Sequence, residues 1–132
     1  MNINTLSQNC RGLVDSNKRR SLFSWIASHP HGPFDIIFLQ ETHSSFKNEA
    51  DFKSMWTSYR PRDLTLCAHG SQSSRGVMTI ISEKLAKYVT NNIIDSQGRY
   101  MITEMQIDQT NFVMINIYAP RQFRQYILVL FT

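Results

Sequence analysis

An asparagine and a glutamate that stand just beyond two strand-like stretches of the sequence are the best candidates for chemistry. Asn9 follows residues 3–7 and precedes a turn at Gly12. Glu41 follows the apolar run 34–39. Amide and carboxylate oxygens are hard donors of the kind that Mg²⁺ binds, so the pair predicts a magnesium site. The alternative is that Asn9 only makes a turn and Glu41 is only an exposed acid at the end of a strand.

A strand–helix–strand unit is predicted to bring these two residues together. Residues 3–7 and 34–39 predict strands, and an apolar stripe at helical spacing, capped by Asp15 or Ser16, lies between them. A helical crossover makes two strands of one sheet parallel, so their carboxyl ends open at the same edge. Ligands of open α/β sheets bind at that edge.

The second half of the chain predicts a succession of strands. Five strand-sized runs are separated by turn-rich pieces, at residues 64–68, 76–82, 88–94, 100–107 and 112–118. Together they predict a β-meander, which gives an α/β fold with a mixed sheet. The preceding segment, residues 46–59, predicts either a short helix or an irregular packed segment.

Composition narrows the class of protein without naming a function. The chain has 132 residues, the length of one domain, and a net charge of +4 that favours polyanionic partners. Two distant cysteines, Cys10 and Cys67, predict free thiols in a reducing compartment, which indicates an intracellular protein of the nucleus or cytoplasm. The apolar runs are too short to cross a membrane.

Basic residues suggest where phosphates would bind. Lys18, Arg19 and Arg20 form the densest basic run, and Arg75 follows a Gly- and Ser-rich loop, so these four residues are candidate nucleic-acid contacts. The alternative for the run is a solvated helix face. His43 follows Glu41 by two residues and faces either the same cleft or the solvent.

Four motifs in order resemble those of the endonuclease/exonuclease/phosphatase superfamily. They are Ser-Gln-Asn-Cys-Arg-Gly at 7–12, Asp-Ile-Ile-Phe-Leu-Gln-Glu-Thr-His at 35–43, Arg-Gly-Val at 75–77 and Asn-Ile-Tyr-Ala-Pro at 116–120. The second and fourth are most similar to the apurinic-type endonuclease domain of non-LTR retrotransposons. The similarity extends over residues 3–120, about the first half of such a domain.

The resemblance implies a fold, a chemistry and roles for individual residues. It implies part of a four-layered α/β sandwich, with residues 1–120 as the N-terminal half of the domain and residues 121–132 as a divergent or truncated tail. It also implies hydrolysis of phosphodiesters in DNA, or in RNA, with Mg²⁺ or Mn²⁺. By the same resemblance, Glu41 is a metal ligand, Asn9 helps to hold the metal or phosphate, and the Tyr118 hydroxyl contacts phosphate.

The sequence also departs from this family pattern. Arg121 stands where the family commonly has an asparagine, and the later Asp-x-Asn and Asp-His elements, which would supply the general base, do not occur. We therefore expect an incomplete catalytic site, which leaves open whether the chain is itself an enzyme. The alternatives are a catalytically inactive nucleic-acid-binding fragment or a decayed retroelement product. A half-domain would also leave a sheet uncovered, which predicts self-association.

Overall fold

The computed structural model describes residues 2–119 and the backbone of residues 127–131. Helices and strands alternate in the first half of the chain, and strands follow one another in the second. The elements are β1 (Thr5–Asn9), α1 (Ser16–Ala27), β2 (Ile36–Gln40), α2 (Glu49–Thr57), β3 (Leu64–Ala68), β4 (Val77–Ile81), α3 (Glu83–Ala86), β5 (Val89–Ile94), β6 (Tyr100–Ile107), β7 (Thr110–Ile117) and β8 (Ile127–Phe131).

The first sheet is mixed and has the strand order β1-β2-β4-β3. β1 and β2 are parallel, with Asn9 opposite Gln40, as the strand–helix–strand pattern predicts. β4 is antiparallel to both β2 and β3. The prediction that β3 and β4 belong to the meander is wrong. Every residue of β4 is buried, so this strand needs a position inside the sandwich, and the free edge of β2 provides it.

The second sheet is the antiparallel meander β5-β6-β7-β8. β6 buries alternate residues on the side facing the first sheet, as its sequence alternation predicts: Met101, Thr103, Met105 and Ile107. Asp108, in the tight turn between β6 and β7, has a φ of 55°, a left-handed conformation that Asp tolerates better than most residues. The predicted hairpin at this point is confirmed.

Both longer helices cover one face of the first sheet. α1 begins at the cap predicted from the sequence, because the Asp15 carboxylate accepts hydrogen bonds from the main-chain N–H groups of Asn17 and Lys18. Such a cap is worth about 1 kcal/mol. α2 confirms the helical alternative for residues 46–59. Phe23 of α1 meets Trp56 of α2 edge to face, with ring centroids 5.5 Å apart.

Strand β2 lies between two apolar layers. Its side chains alternate, so Ile37 and Leu39 pack under the helices, whereas Ile36 and Phe38 pack against the second sheet, where Met114 is among their partners. This explains why the run is apolar throughout. The described residues thus form three stacked layers, helices on a mixed sheet on an antiparallel sheet, and the predicted α/β class is confirmed.

The outer face of the second sheet, on the side away from the first sheet, carries exposed apolar side chains of the kind that self-association would cover. Ile93 and Tyr100 are 43% and 38% exposed. Self-association through this face stays a prediction. The predicted boundary between residues 1–120 and the tail 121–132 lies outside the described residues, and so does Arg121. Of the tail, the structure describes the backbone of β8, which pairs with β7.

Candidate functional site

The carboxyl ends of β1 and β2 open into one cavity, which we call the strand-end cavity. Its volume is about 550 Å³, and Asn9, Arg11, Glu41, His43 and Ser73 line it. Asn9 and Glu41 therefore face the same space, as the parallel strands predict. The Asn9 Oδ1 atom accepts a hydrogen bond from the main-chain N–H of Arg11 at 3.2 Å, which orients the amide.

The loops around this cavity are held together by main-chain hydrogen bonds. The N–H of Gly12 donates to the carbonyl oxygen of Glu41 at 2.6 Å, and the N–H of Thr42 donates to that of Gly76 at 3.0 Å. A third bond joins the N–H of His43 to the carbonyl oxygen of Arg75 at 3.0 Å. The loops after β1 and β2 and the loop before β4 are consequently fixed relative to one another.

Several residues of these loops have a left-handed backbone conformation. The φ angles of Arg11, Glu41, His43 and Arg75 lie between 53° and 63°. Non-glycine residues adopt this conformation at a cost of order 1–3 kcal/mol each, and such residues cluster at functional sites. The surrounding hydrogen bonds stabilise the loops in this strained conformation. In this conformation Glu41 and His43 both line the strand-end cavity.

Two glycines are required by the close approach of these loops. A Cβ atom on Gly12, whose φ is 90°, would lie 2.7 Å from the Nδ1 atom of His43. A Cβ atom on Gly76, whose φ is 89°, would lie 2.6 Å from the Oγ1 atom of Thr42. The sequence marks Gly12 as a turn, but its contact with His43 joins segments that are distant in the chain.

Positive charge lies beside the cavity. The Lys18 Nζ atom donates to the carbonyl oxygen of Arg11 at 3.1 Å. Partial burial lowers the pKa of His43; the Glu41 carboxylate opposes this effect, and the Lys18 ammonium adds to it. Of the two alternatives for His43, the structure shows the one in which it faces the cleft, because it lines the strand-end cavity. The cavity combines one carboxylate with cations suited to a phosphate.

The basic run does not act as one surface. The Arg19 side chain is buried, donates to the carbonyl oxygen of Leu13 at 2.9 Å and lies over the ring of Phe52. Helical rotation turns Arg19 toward the core, which leaves little of its side chain for a phosphate, and its role as a nucleic-acid contact stays a prediction. Arg20 is exposed but lines a different depression, between α1 and α2. Of the three, Lys18 is the residue that bonds to a residue of the strand-end cavity lining, Arg11.

Arg75 and Tyr118, the other two predicted site residues, lie close to the strand-end cavity but are not part of its described lining. Arg75 donates to the Gln97 side chain at 3.3 Å. The ring of Tyr118 packs against the buried cluster of Ala68, Val77 and Met101. Val77 pairs with the last residue of β2, so Tyr118 belongs to the same end of the molecule. Its contact with phosphate stays a prediction.

A second depression, which we call the side cavity, adjoins the first. Its volume is about 450 Å³, and its lining is Val14, His43, Ser45, Lys47, Asn48 and Gln72. His43 lines both cavities, so they adjoin each other at this residue. The sequence analysis missed the side cavity, because no local pattern marks a loop that lines a cavity.

The cysteine nearest to the cavity does not take part in its chemistry. Cys10 follows Asn9 and is buried, and burial raises the pKa of its thiol to about 12. Cys67 is also buried and free, and burial raises the pKa of its thiol to about 12 as well. Both thiols are therefore protonated at neutral pH and are poor metal ligands and poor nucleophiles.

The donor atoms in the strand-end cavity suit a hard cation. Glu41 supplies carboxylate oxygens, and the Asn9 carbonyl oxygen keeps a lone pair beside its bond with Arg11. Mg²⁺ commonly uses one or two carboxylates and completes its shell with water and substrate phosphate. Within residues 2–119, no group of three or more His, Cys, Asp or Glu residues that could hold a metal ion occurs.

Across the described ranges, 2–119 and 127–131, we find no helix with the length and apolar character needed to span a bilayer.

Comparison with known proteins gives a family and a fold. A sequence model described as the Endonuclease/Exonuclease/phosphatase family matches residues 1–131. The structure is similar to that of the AP endonuclease LMAP from Leishmania major, with a TM-score of 0.57 and 16% identity over 88% of this chain and 39% of that chain. It is also similar to D. rerio TDP2 humanized by 14 mutations, with a TM-score of 0.60 and 15% identity over 91% of this chain and 52% of that chain. The chain thus spans about half, or less, of these structures.

Proposed function

The chain belongs to the endonuclease/exonuclease/phosphatase family, and we propose from this that it forms the N-terminal part of a Mg²⁺-dependent phosphodiester hydrolase. The observation that carries the proposal is that Asn9 and Glu41, from two different strands, line one cavity. Cations beside a lone carboxylate suit a substrate that brings its own negative charge. A phosphodiester is such a substrate.

The finer proposal is a DNA endonuclease of the retrotransposon type. The Gln-Glu-Thr-His motif at 40–43 and the Ile-Tyr-Ala-Pro motif at 117–120 support it. The extent of the structural matches, 39% and 52% of the partner chains, supports the assignment of residues 1–120 to the N-terminal half of a domain. Two free buried thiols support a site of action in the nucleus or cytoplasm.

Residues in and beside the strand-end cavity have roles in this proposal. Glu41 and Asn9 would hold Mg²⁺ or Mn²⁺, and Tyr118 would offer its hydroxyl to a phosphate oxygen. The ion, when bound, polarises the phosphate and stabilises the charge that develops in the transition state. Arg11 and Lys18 attract the substrate phosphate to the cavity. The orientation of Glu41 is held by the bond from the Gly12 N–H to its carbonyl oxygen.

A second candidate is a nucleic-acid-binding protein without hydrolytic activity. The observation that favours it is that Glu41 is the one carboxylate lining the strand-end cavity among the described residues. Hydrolysis also needs a base within hydrogen-bond reach of the attacking water. A protein that keeps the cations but lacks this base would still bind DNA.

A plasmid-nicking assay tests both candidates. Supercoiled DNA is incubated with the chain in Mg²⁺, in EDTA, and with the variant Glu41→Gln, which removes the charge and keeps the shape. Glu83→Gln is the matched control, because Glu83 is exposed and pairs with Arg62 on the surface. Because the later elements that would supply the general base do not occur in this sequence, we expect weak nicking that needs Mg²⁺ and Glu41 but not Glu83. Nicking that survives Glu41→Gln overturns the metal-ligand role, and salt-dependent binding without nicking establishes the second candidate.

A further inference from the structure

Phe46, an aromatic residue beside the cavities, is highly exposed, and the hydrolase proposal gives it no role. Phe46 is 87% exposed, far more than the next large apolar side chains, Trp25 and Ile94, each at 49%. Its neighbours in sequence, Ser45 and Lys47, both line the side cavity. Phe46 therefore lies between two residues of the side-cavity lining, and the side cavity adjoins the strand-end cavity at His43.

Hydrogen bonds on both sides of Phe46 hold the loop that carries it. Ser44, fully buried, makes a hydrogen bond between its Oγ atom and the Nδ1 atom of His69 at 2.9 Å. The N–H of Ser45 donates to the Oδ1 atom of Asn48 at 2.8 Å, and the N–H of Asn48 returns a bond to the carbonyl oxygen of Ser45. The loop is thus closed before any ligand binds, so ordering it on binding costs little entropy.

The Phe46 ring is fixed on one side and open on the other. It meets His69 in an edge arrangement with centroids 4.6 Å apart. The Ser44 hydroxyl bonds to the Nδ1 atom of His69, and the Nε2 atom of the same ring lies 3.2 Å from the Glu49 carboxylate without a hydrogen bond. The exposure of 87% leaves a face of the Phe46 ring available to a planar partner. The ring is presented as a stacking platform.

A free cation accompanies this platform. Lys47 is exposed, and its ammonium has no hydrogen bond or ion pair with any residue in the described part of the chain. An aromatic face next to an unpaired cation is the combination that binds single-stranded nucleic acid, where bases stack on rings and phosphates meet lysines. In a duplex the bases already stack on one another, so a surface ring gains a partner only from an unpaired base.

We infer that Phe46 and Lys47 form a subsite for an unpaired nucleotide next to the scissile phosphate, so that the substrate is nucleic acid with a single-stranded stretch. This inference rests on the proposed function, which puts the scissile phosphate in the strand-end cavity. The strand runs from that cavity past His43 into the side cavity, where one base stacks on Phe46. Inositol phosphates and lipid headgroups have no aromatic base to occupy this platform.

Fluorescence anisotropy with a labelled oligothymidylate tests the subsite without any hydrolysis. The full chain is titrated in EDTA against the single strand and against a blunt duplex of the same length. We expect tighter binding of the single strand and a loss of about tenfold or more in Phe46→Ala, the effect of losing one base–aromatic stack. Phe46→Tyr keeps the ring and is expected to bind as the unmodified chain does. Trp25→Ala is the matched control, because it removes another exposed ring.

The outcomes separate the subsite from the hydrolase proposal. Equal binding by Phe46→Ala and the unmodified chain, an equal loss in Trp25→Ala, a preference for the duplex, or no binding of either DNA overturns the subsite. Circular dichroism of each variant shows whether its fold is retained. If binding depends on Phe46 but Glu41→Gln still nicks DNA, the metal role fails and the subsite stands. If nicking depends on Glu41 but binding does not depend on Phe46, the subsite fails and the metal role stands.

Discussion

Asn116 in β7 donates through its Nδ2 atom to the carbonyl oxygen of Met78 in β4, 3.0 Å away, and so joins the two sheets. The same amide donates to Thr79 Oγ1 at 3.1 Å and accepts from Gln40 Nε2 at 2.9 Å. Gln40 is the last residue of β2 and immediately precedes Glu41. The buried amide therefore connects the packing of the sheets to the strand end that carries the carboxylate of the proposed site.

Replacement of Asn116 by leucine should destabilise the fold. The change leaves Gln40 and Thr79 with buried polar groups that lose a partner, and each such group costs about 1–3 kcal/mol. Urea unfolding should show a free energy of unfolding lower by that order. Asn111→Leu is the control, because Asn111 lies in the same strand and is exposed. A loss in the control as large as that in Asn116→Leu would contradict the role of the network.

Gly12→Ala should lower the stability of the cavity loops. Alanine at a φ of 90° is strained by about 1–2 kcal/mol. Its Cβ atom would also lie against the His43 ring. In urea unfolding we expect the double variant Gly12→Ala/His43→Ala to lose less stability than the two single changes added together, because the second change removes the clash. Strict additivity would show that the two residues do not meet.

Lys18→Ala should reduce the dependence of DNA affinity on salt. Each phosphate contact that is lost lowers the slope of log affinity against log salt by about 1. Arg20→Ala is the matched control, since Arg20 is an exposed cation of the same helix that faces the depression between α1 and α2. Affinity is measured by anisotropy at several salt concentrations in EDTA. A larger change of slope for Arg20→Ala than for Lys18→Ala would show that the phosphate contacts lie at the depression between α1 and α2 and not beside the strand-end cavity.

The turn between β5 and β6 should give a pH-dependent contribution to stability. A hydrogen bond from the main-chain N–H of Arg99 lowers the pKa of Asp95, with a smaller contribution from the Arg99 guanidinium. A lowered carboxyl pKa stabilises the fold above the unfolded value of about 3.9 and ceases to do so as the pH falls through the lower folded pKa.

Asp95→Asn tests this contribution. We expect the variant to unfold at a lower urea concentration than the unmodified chain at neutral pH. The two midpoints should converge as the pH falls below about 4, where the unmodified carboxyl also becomes neutral. A difference between midpoints that grows toward acid pH would mean that the Asp95 charge is unfavourable in the folded protein.

The amino-acid sequence by itself determined the local elements and the unit that carries the candidate site. The carboxylate cap of Asp15, the alternation in β6 and the apolar run of β2 each depend on neighbouring residues, and the structure contains all three. The parallel pair β1 and β2 follows from a helical crossover. Because that pair fixes one edge of a sheet, the meeting of Asn9 and Glu41 at one cavity could be predicted.

Only the tertiary structure decided which distant segments meet. β3 and β4 could pair with either sheet by their sequence, and the free edge of β2 decided their place. Arg19 and Lys18 are adjacent in sequence, but a step of about 100° around α1 buries the first and directs the second to the strand-end cavity loops. The sequence carries no local mark of these outcomes, because each depends on burying apolar surface and pairing polar groups across the whole fold.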